Sequence, residues 1–250
     1  MNTLQIHHTL TVISQQCKGC THCMKRCPTG AIRIHGGKAN IDAKLCIDCG
    51  QCMAVCSNKA IKVEQDSLTQ LTQYTYTAAV IPASFFVQFA EHIPLTNILW
   101  ALYEIGFTHL YLAETGVDIL SELPIEDRQT KLPVISNFCP AVQRLIQIKF
   151  PLLVGNLSII RPPAQITAIF VKLELHDIED QLGIFYVTPC AAKLSQFKTE
   201  GSEEHTLFAG IINFDTLYNR VCTLLAKNTE QHPGYAFSFN SYTQKALLWS

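Results

Sequence analysis

The sequence contains the run CKGCTHCMKRCP at residues 17–28 and repeats its cysteine spacing as CIDCGQCMAVCS at residues 46–57. Both runs have the spacing Cys-x2-Cys-x2-Cys-x3-Cys, and each cysteine lies 29 residues from its counterpart. The similarity extends past the cysteines, because Gly-Ala-Ile at residues 30–32 corresponds to Lys-Ala-Ile at residues 59–61. The repeat uses eight of the eleven cysteines and therefore indicates a duplicated unit.

This spacing predicts two [4Fe–4S] clusters in a ferredoxin module of α+β fold. In the bacterial pattern, the three closely spaced cysteines of a run bind one cluster and the fourth binds the other. We therefore predict two crossed ligand sets: Cys17, Cys20, Cys23 and Cys56 for the first cluster, and Cys46, Cys49, Cys52 and Cys27 for the second. The runs differ in one respect, since Pro28 follows Cys27 whereas Ser57 follows Cys56.

Two other uses of these cysteines are disfavoured. Zinc sites prefer pairs of Cys-x2-Cys separated by a longer loop. Disulfides need an oxidising compartment, and residues 1–16 show no secretion signal. We expect a reducing, cytoplasmic location. The chain has nine histidines, and the adjacent pair His7-His8 is expected to be solvated.

The composition bounds the remaining possibilities. At 250 residues the chain is long enough for two domains. Only 16% of the residues are charged and 48% are apolar, which predicts a well-buried second domain or a surface covered by a partner or a missing segment. The net charge of −1, without a Lys/Arg block, argues against nucleic-acid binding. No apolar stretch approaches the ~18 residues of a membrane span.

Composition and hydrophobic patterning along the chain predict a two-cluster domain at residues 1–65, a polar connector at 66–77 and an α/β domain at 78–250. Short apolar runs alternate with amphipathic ones in the last part, and this alternation favours a mainly parallel sheet with helices on its faces. The predicted elements of that domain are strands at 78–81, 108–112, 132–137, 183–188 and 208–212, and helices at 95–105, 117–123, 141–149, 165–175 and 215–226. Residues 1–13 are predicted to form a leading strand.

Two further cysteines follow predicted strands. Cys139 comes after residues 132–137, and Cys190 comes after residues 183–188. Ligands of parallel α/β sheets gather at the carboxyl ends of strands, so these cysteines can share a metal site. Each can equally be a small buried residue, which is common for cysteine.

Three motifs of this region are informative: VIPASF at residues 80–85, SNFCP at 136–140 and PCAAK at 189–193. With them, the chain from about Cys17 onward resembles the iron-only ([FeFe]) hydrogenases and their hydrogenase-like relatives. In that family a two-cluster ferredoxin module precedes the catalytic domain.

The resemblance implies roles for three residues. In the family, four cysteines hold a cubane cluster, and one of them bridges to a diiron centre where H₂ is made or split. Cys139 and Cys190 match two of these cysteines. Lys193 matches a lysine that hydrogen-bonds a ligand of the diiron unit, although its position alone is also consistent with stabilising negative cluster charge.

The chain departs from the family at several positions. Phe138 stands where many active members have a proton-relaying cysteine, and Gln196 stands where they tend to have a glutamate of the proton path. The last two cluster ligands of the family come from a later Cys-x3-Cys, which this sequence lacks. Its remaining cysteine, Cys222, lies in an apolar helical pattern and is predicted to be core. The stretch 245–250 resembles the approach to those ligands, so we expect a truncated or split chain.

We therefore expect an iron–sulfur electron-transfer protein of the hydrogenase-like family, without a complete diiron site. One alternative is an [FeFe] hydrogenase completed by a missing C-terminal segment or a partner chain, with a third [4Fe–4S] cluster at Cys139 and Cys190. Another is a redox sensor or cluster-assembly protein. Whether the chain is an enzyme stays open. The expected partner is a redox protein or the missing hydrogenase segment.

Overall fold

A computed structural model describes residues 7–122 and 132–227 of the chain. The described residues form two compact units, and each unit combines three separate segments of sequence. The first unit contains residues 7–65, 132–160 and 190–205; the second contains residues 66–122, 161–189 and 206–227. The domain limits predicted at residues 65 and 78 stay a prediction.

Helices and strands both occur throughout the described residues. In chain order they are β1 (Leu10–Val12), α1 (His22–Arg26), β2 (Ile32–His35), β3 (Lys38–Ile41), α2 (Gln51–Ala54), β4 (Ile61–Val63), β5 (Tyr76–Ile81), α3 (Leu95–Ile105), β6 (His109–Leu112), α4 (Thr115–Glu122), α5 (Pro140–Lys149), α6 (Pro163–Glu174), β7 (Leu182–Thr188), α7 (Ala191–Lys198), α8 (Glu203–Leu207), β8 (Gly210–Asn213) and α9 (Phe214–Lys227). Short 3-10 helices add Leu68–Gln73, Ala83–Gln88, Pro151–Asn156 and His176–Gln181. None of the described helices is long and apolar enough to span a membrane.

The second unit is built on a four-stranded parallel sheet with the order β6-β5-β7-β8. Its two central strands are buried over almost their whole length, as expected for a sheet covered on both faces. Phe85 and Phe214 pack edge to face in the core of this unit, with ring centroids 5.3 Å apart. The mainly parallel sheet predicted from the sequence is confirmed.

Helix α3 shows why several boundaries were predictable. It spans the predicted residues Leu95–Ile105 and ends where Gly106 adopts a left-handed backbone with φ 119°. The Gly106 N–H donates to the carbonyl groups of Leu102 and Tyr103, so the glycine closes the last turn. A residue with a Cβ is strained in this backbone conformation, which makes glycine a reliable stop signal.

The first unit contains two small antiparallel sheets. Strand β1 pairs with β4, with Leu10 opposite Val63, and β2 pairs with β3, with Ile32 opposite Ile41. The β2–β3 hairpin turns through Gly36 and Gly37, both with positive φ. Strand β1 covers only the end of the leading strand predicted for residues 1–13, and residues 1–6 lie outside the described part of the chain.

The prediction of a strand at residues 132–137 is wrong. Only Ile135 makes an isolated bridge, to Leu157, and the segment belongs to the first unit rather than to the parallel sheet. Pro133 lacks an N–H for a ladder, and Leu132 is 82% exposed. Cys139 therefore does not follow a strand of the parallel sheet, whereas Cys190 follows β7 as predicted.

Candidate metal centres

The sequence repeat is also a repeat of backbone conformation. Three pairs of positions 29 residues apart adopt left-handed φ angles, and in each pair one member is glycine: Gly19 (66°) with Asp48 (49°), Thr21 (68°) with Gly50 (76°), and Gly30 (68°) with Lys59 (49°). The first two pairs flank the second cysteine of each run and precede helices α1 and α2. Both runs therefore curl around a centre in the same way.

Two open cavities lie inside these curls. The first is lined by Cys17, Cys20, Cys23 and Cys56, together with His22. The second is lined by Cys46, Cys49, Cys52 and Cys27. Each cavity thus receives three cysteines of one run and the last cysteine of the other. The two ligand sets proposed from spacing are brought together, while their binding of a cluster stays a prediction.

Backbone N–H groups point at the sulfur atoms of both cavities. The last cysteine of each run accepts from the residue four positions later, at 3.2 Å from Ala31 to Cys27 and 3.3 Å from Ala60 to Cys56. Backbone hydrogen bonds from Ala39 and Gly19 lower the pKa of Cys17. Hydrogen bonds of this kind favour the thiolate, which is the form that binds metal.

Two thiols of the second cavity have raised pKa values. Burial, followed by the nearby thiols of Cys46 and Cys49, raises the pKa of Cys52 to about 12. Burial and the Asp48 carboxylate raise the pKa of Cys46 to about 11. These two thiols lose their protons near neutral pH only when a cationic centre offsets their charge. All eleven cysteines are free of disulfides, so the donor set fits a cubane iron–sulfur cluster.

Cys139 and Cys190 occupy equivalent positions on two helices of the first unit. Each is the N-cap residue of its helix, Cys139 exposed on α5 and Cys190 partly buried on α7. Ala141 of α5 and Ala192 of α7 form a small buried cluster with Ile47 of the second run, and both Cys190 and Cys49 pack against it. The helices that carry the two cysteines are thus docked beside the loop of the second cavity.

The other residues singled out from the sequence lie as follows. Lys193 is in the first turn of α7, where its N–H donates to the Cys190 carbonyl at 3.1 Å. Gln196 lies one turn further along the same helix, and Phe138 is 39% exposed immediately before Cys139. Cys222 lies on α9 and packs partly buried against the core of the second unit. The stretch 245–250 lies outside the described residues.

A buried ionic network at the second cavity was not predicted. The fully buried Asp48 carboxylate accepts from Arg144 Nη1 at 2.6 Å and lies 2.8 Å from His8 Nδ1, so His8 is not simply solvated. Arg144 Nη2 donates to Ser195 Oγ at 2.9 Å, and that hydroxyl donates to the His7 carbonyl. Burial alone would raise the pKa of Asp48, but His8 and then Arg144 hold it below its ordinary value.

The two cysteine-lined cavities and the sequence around them define the class of protein. A family model described as "4Fe-4S dicluster domain" matches residues 10–60, which contain all eight cysteines that line the two cavities. The chain is therefore an iron–sulfur protein.

A second family model, described as "Iron only hydrogenase large subunit, C-terminal domain", matches residues 75–215, which is more than half of the 250 residues. The chain belongs to this iron-only hydrogenase family. The family resemblance inferred from the motifs around Cys139 and Cys190 is thus confirmed.

Solved structures that match this chain include two [FeFe]-hydrogenases. One was studied for oxygen inactivation of its H cluster, and it has 18% identity over 66% of this chain and 47% of that chain, with a TM-score of 0.46. The other is a variant of HydA1 from Chlamydomonas reinhardtii, with 16% identity over 72% of this chain and 55% of that chain, and a TM-score of 0.47. This chain spans about half the length of these structures. No curated protein gives a significant match.

Proposed function

We propose that this chain transfers electrons through two [4Fe–4S] clusters. The first cluster takes Cys17, Cys20, Cys23 and Cys56, and the second takes Cys46, Cys49, Cys52 and Cys27. The observation that carries this proposal is the pair of cavities, each lined by three cysteines of one run and the last of the other. The crossing keeps the two clusters close, which suits electron hopping between them.

In this proposal, the second cluster lies beside a further candidate metal site at Cys139 and Cys190. Cys49 and Cys190 pack against the same buried residues, so α7 begins beside the second ligand set. If Cys139 and Cys190 hold a third cluster, the other two ligands come from another segment or another chain, because Cys222 packs against the core of the second unit. That partner is a redox protein or a further hydrogenase segment.

We further propose that the chain by itself does not carry out H₂ chemistry. Phe138 and Gln196 bear no titratable group at the two positions where active family members relay protons. A hydrogenase completed by a partner is the second candidate, and the docking of α5 and α7 beside the second cavity favours it over an isolated ferredoxin role.

Iron counting tests the two-cluster proposal. After anaerobic reconstitution of the full chain, we expect about eight irons and eight sulfides per chain. Cys20→Ala and Cys49→Ala should each lose about four irons together with one electron paramagnetic resonance (EPR) signal. Cys222→Ala is the matched control, because it removes a thiol outside both cavities and should keep about eight irons. Stoichiometric zinc without iron would refute the proposal.

An anaerobic H₂ assay with a reduced viologen dye tests whether the chain by itself carries out H₂ chemistry. The chain co-expressed with hydrogenase maturation factors should show no H₂ formation above the dye background, and Cys139→Ala/Cys190→Ala should leave the iron content of the chain alone unchanged. Robust H₂ formation by the chain alone would contradict the electron-transfer proposal. An iron content near twelve that falls in the double variant would show that the chain alone builds a third cluster.

A further inference from the structure

Three separate segments of the first unit meet at one buried guanidinium. Arg144, on α5, is 9% exposed and binds Asp48 with one nitrogen and Ser195 of α7 with another. Asp48 lies between Cys46 and Cys49 of the second ligand set, and its own N–H donates to Cys46 Sγ at 3.4 Å. The guanidinium therefore connects the loop of the second cavity to both helices that begin after Cys139 and Cys190.

We propose that Arg144 is a positioning residue that holds α5 and α7 against the second cluster and sets the reduction potential of that cluster. This inference rests on the proposed function, since it requires a cluster on Cys27, Cys46, Cys49 and Cys52. It adds a coupling between that cluster and the Cys139/Cys190 pair.

The geometry explains why arginine is used at this position. A guanidinium presents several donors in a planar fork, so one side chain binds a carboxylate and a hydroxyl at the same time. The two contacts, at 2.6 Å to Asp48 and 2.9 Å to Ser195, lie on different nitrogens. A lysine ammonium has neither the reach nor the planarity to make both. Ser195 also donates to the His7 carbonyl, so the chain preceding β1 is tied to the same point.

The charge distribution makes the effect specific to one cluster. Asp48 lines the second cavity and is absent from the lining of the first. His8 and Arg144 both contact the Asp48 carboxylate, and no further charged partner of that carboxylate is found among the described residues. At an effective dielectric constant of about 20, a unit charge on the order of 10 Å away changes an equilibrium about tenfold. Loss of the Arg144 charge therefore disfavours the reduced, more negative second cluster.

The test uses the reconstituted full chain with five variants: Arg144→Met, Arg144→Lys, Ser195→Ala, Asp48→Asn/Arg144→Met and Lys198→Met. EPR-monitored redox titration gives the potential of each cluster. Anaerobic alkylation followed by mass spectrometry gives the reaction rate of the partly buried Cys190, with Cys222 as the internal reference thiol. Lys198→Met is the matched control, because it removes a cation of the same helix α7 that pairs with Glu64 at the surface.

Arg144→Met should make the second cluster about tenfold harder to reduce at fixed potential, which is about 59 mV for one electron, and should leave the first cluster unchanged. Neutralising both partners in Asp48→Asn/Arg144→Met should restore the potential. Cys190 alkylation should be about tenfold faster in Arg144→Met, and should be faster by a smaller factor in Arg144→Lys. Ser195→Ala should raise the alkylation rate without changing either potential, because the charge remains. Lys198→Met should change neither quantity.

Two results would overturn the coupling. One is an unchanged Cys190 alkylation rate and unchanged potentials across the Arg144 and Ser195 variants. The other is an equal shift of both clusters in Arg144→Met. If Arg144→Met fails to retain iron, Ser195→Ala and Arg144→Lys still decide the positioning role through Cys190. A parent chain that binds no iron refutes the proposed function and this inference together, whereas a two-cluster parent with unresponsive variants refutes the inference alone.

Discussion

Replacing Gly19 by alanine should destabilise the first unit well beyond the usual cost of a left-handed alanine. Gly19 has φ 66°. In this left-handed conformation, alanine costs about 1–2 kcal/mol more than glycine. A Cβ at this position would lie 2.5 Å from the Gly37 carbonyl oxygen, so the backbone must shift. Overpacking of this kind costs a further ~1–3 kcal/mol. We therefore expect a total loss of about 2–5 kcal/mol for Gly19→Ala.

Gly37→Ala is the matched control, because Gly37 also has positive φ, 72°, but an added Cβ there meets nothing within 4 Å. Only the left-handed cost of about 1–2 kcal/mol applies to it. The assay is anaerobic denaturant titration of the reconstituted chain, followed through the visible absorption of the clusters and circular dichroism. Equal losses for the two variants, within about 0.5 kcal/mol, would refute the close-approach argument.

Two further predictions concern stability elsewhere in the chain. Gly116→Ala gains about 1 kcal/mol of helix propensity, but its Cβ would collide with the Pro163 carbonyl group, so we expect a net loss of up to about 2 kcal/mol in denaturant titrations; a stabilised variant would contradict the α4–α6 geometry. The Lys198 hydrogen bond lowers the pKa of Glu64 from its usual 4.5. Glu64 thus stabilises the folded chain above that pKa, and its contribution is lost as the pH falls through the lower folded value. Because the carboxylate is 49% exposed, Glu64→Gln should cost less than about 1 kcal/mol at neutral pH and nothing in acid, and a pH-independent difference would contradict this assignment.

The sequence was most informative where local chemistry determines the backbone. Helix α3 and its Gly106 stop follow from apolar periodicity and the freedom of glycine at positive φ. The crossed cysteine sets are predicted by the spacing together with the bacterial ferredoxin pattern, in which the fourth cysteine of each run binds the other cluster. The strand predicted for residues 132–137 is wrong because an apolar run predicts a strand without showing whether a neighbouring strand is available to pair with it.

The buried network could not be predicted because its members are distant in sequence. Asp48 and Arg144 are 96 residues apart, and Ser195 lies a further 51 residues along the chain. A lone arginine within the α5 pattern predicts a solvated side chain, and an aspartate between two cysteines predicts a polar loop. Neither signal identifies the other residue as its partner. The grouping of α5 and α7 with the cysteine runs in one unit could not be predicted for the same reason, because it depends on contacts between residues that are distant in sequence.

The three-segment construction of the first unit has a consequence for its synthesis on the ribosome. The cysteine runs emerge early, but the guanidinium that pairs with Asp48 follows 96 residues later, and the Ala191 carbonyl that accepts from Thr9 follows 182 residues after that threonine. Until those residues are synthesised, the Asp48 carboxylate, which is fully buried in the folded chain, remains in water. The cysteine runs also lack the helices α5 and α7 that cover them. Contacts this distant in sequence slow folding, because the intervening loop must close before the contact can stabilise anything. The nascent chain therefore passes through a long interval in which its clusters can assemble before the unit around them is complete.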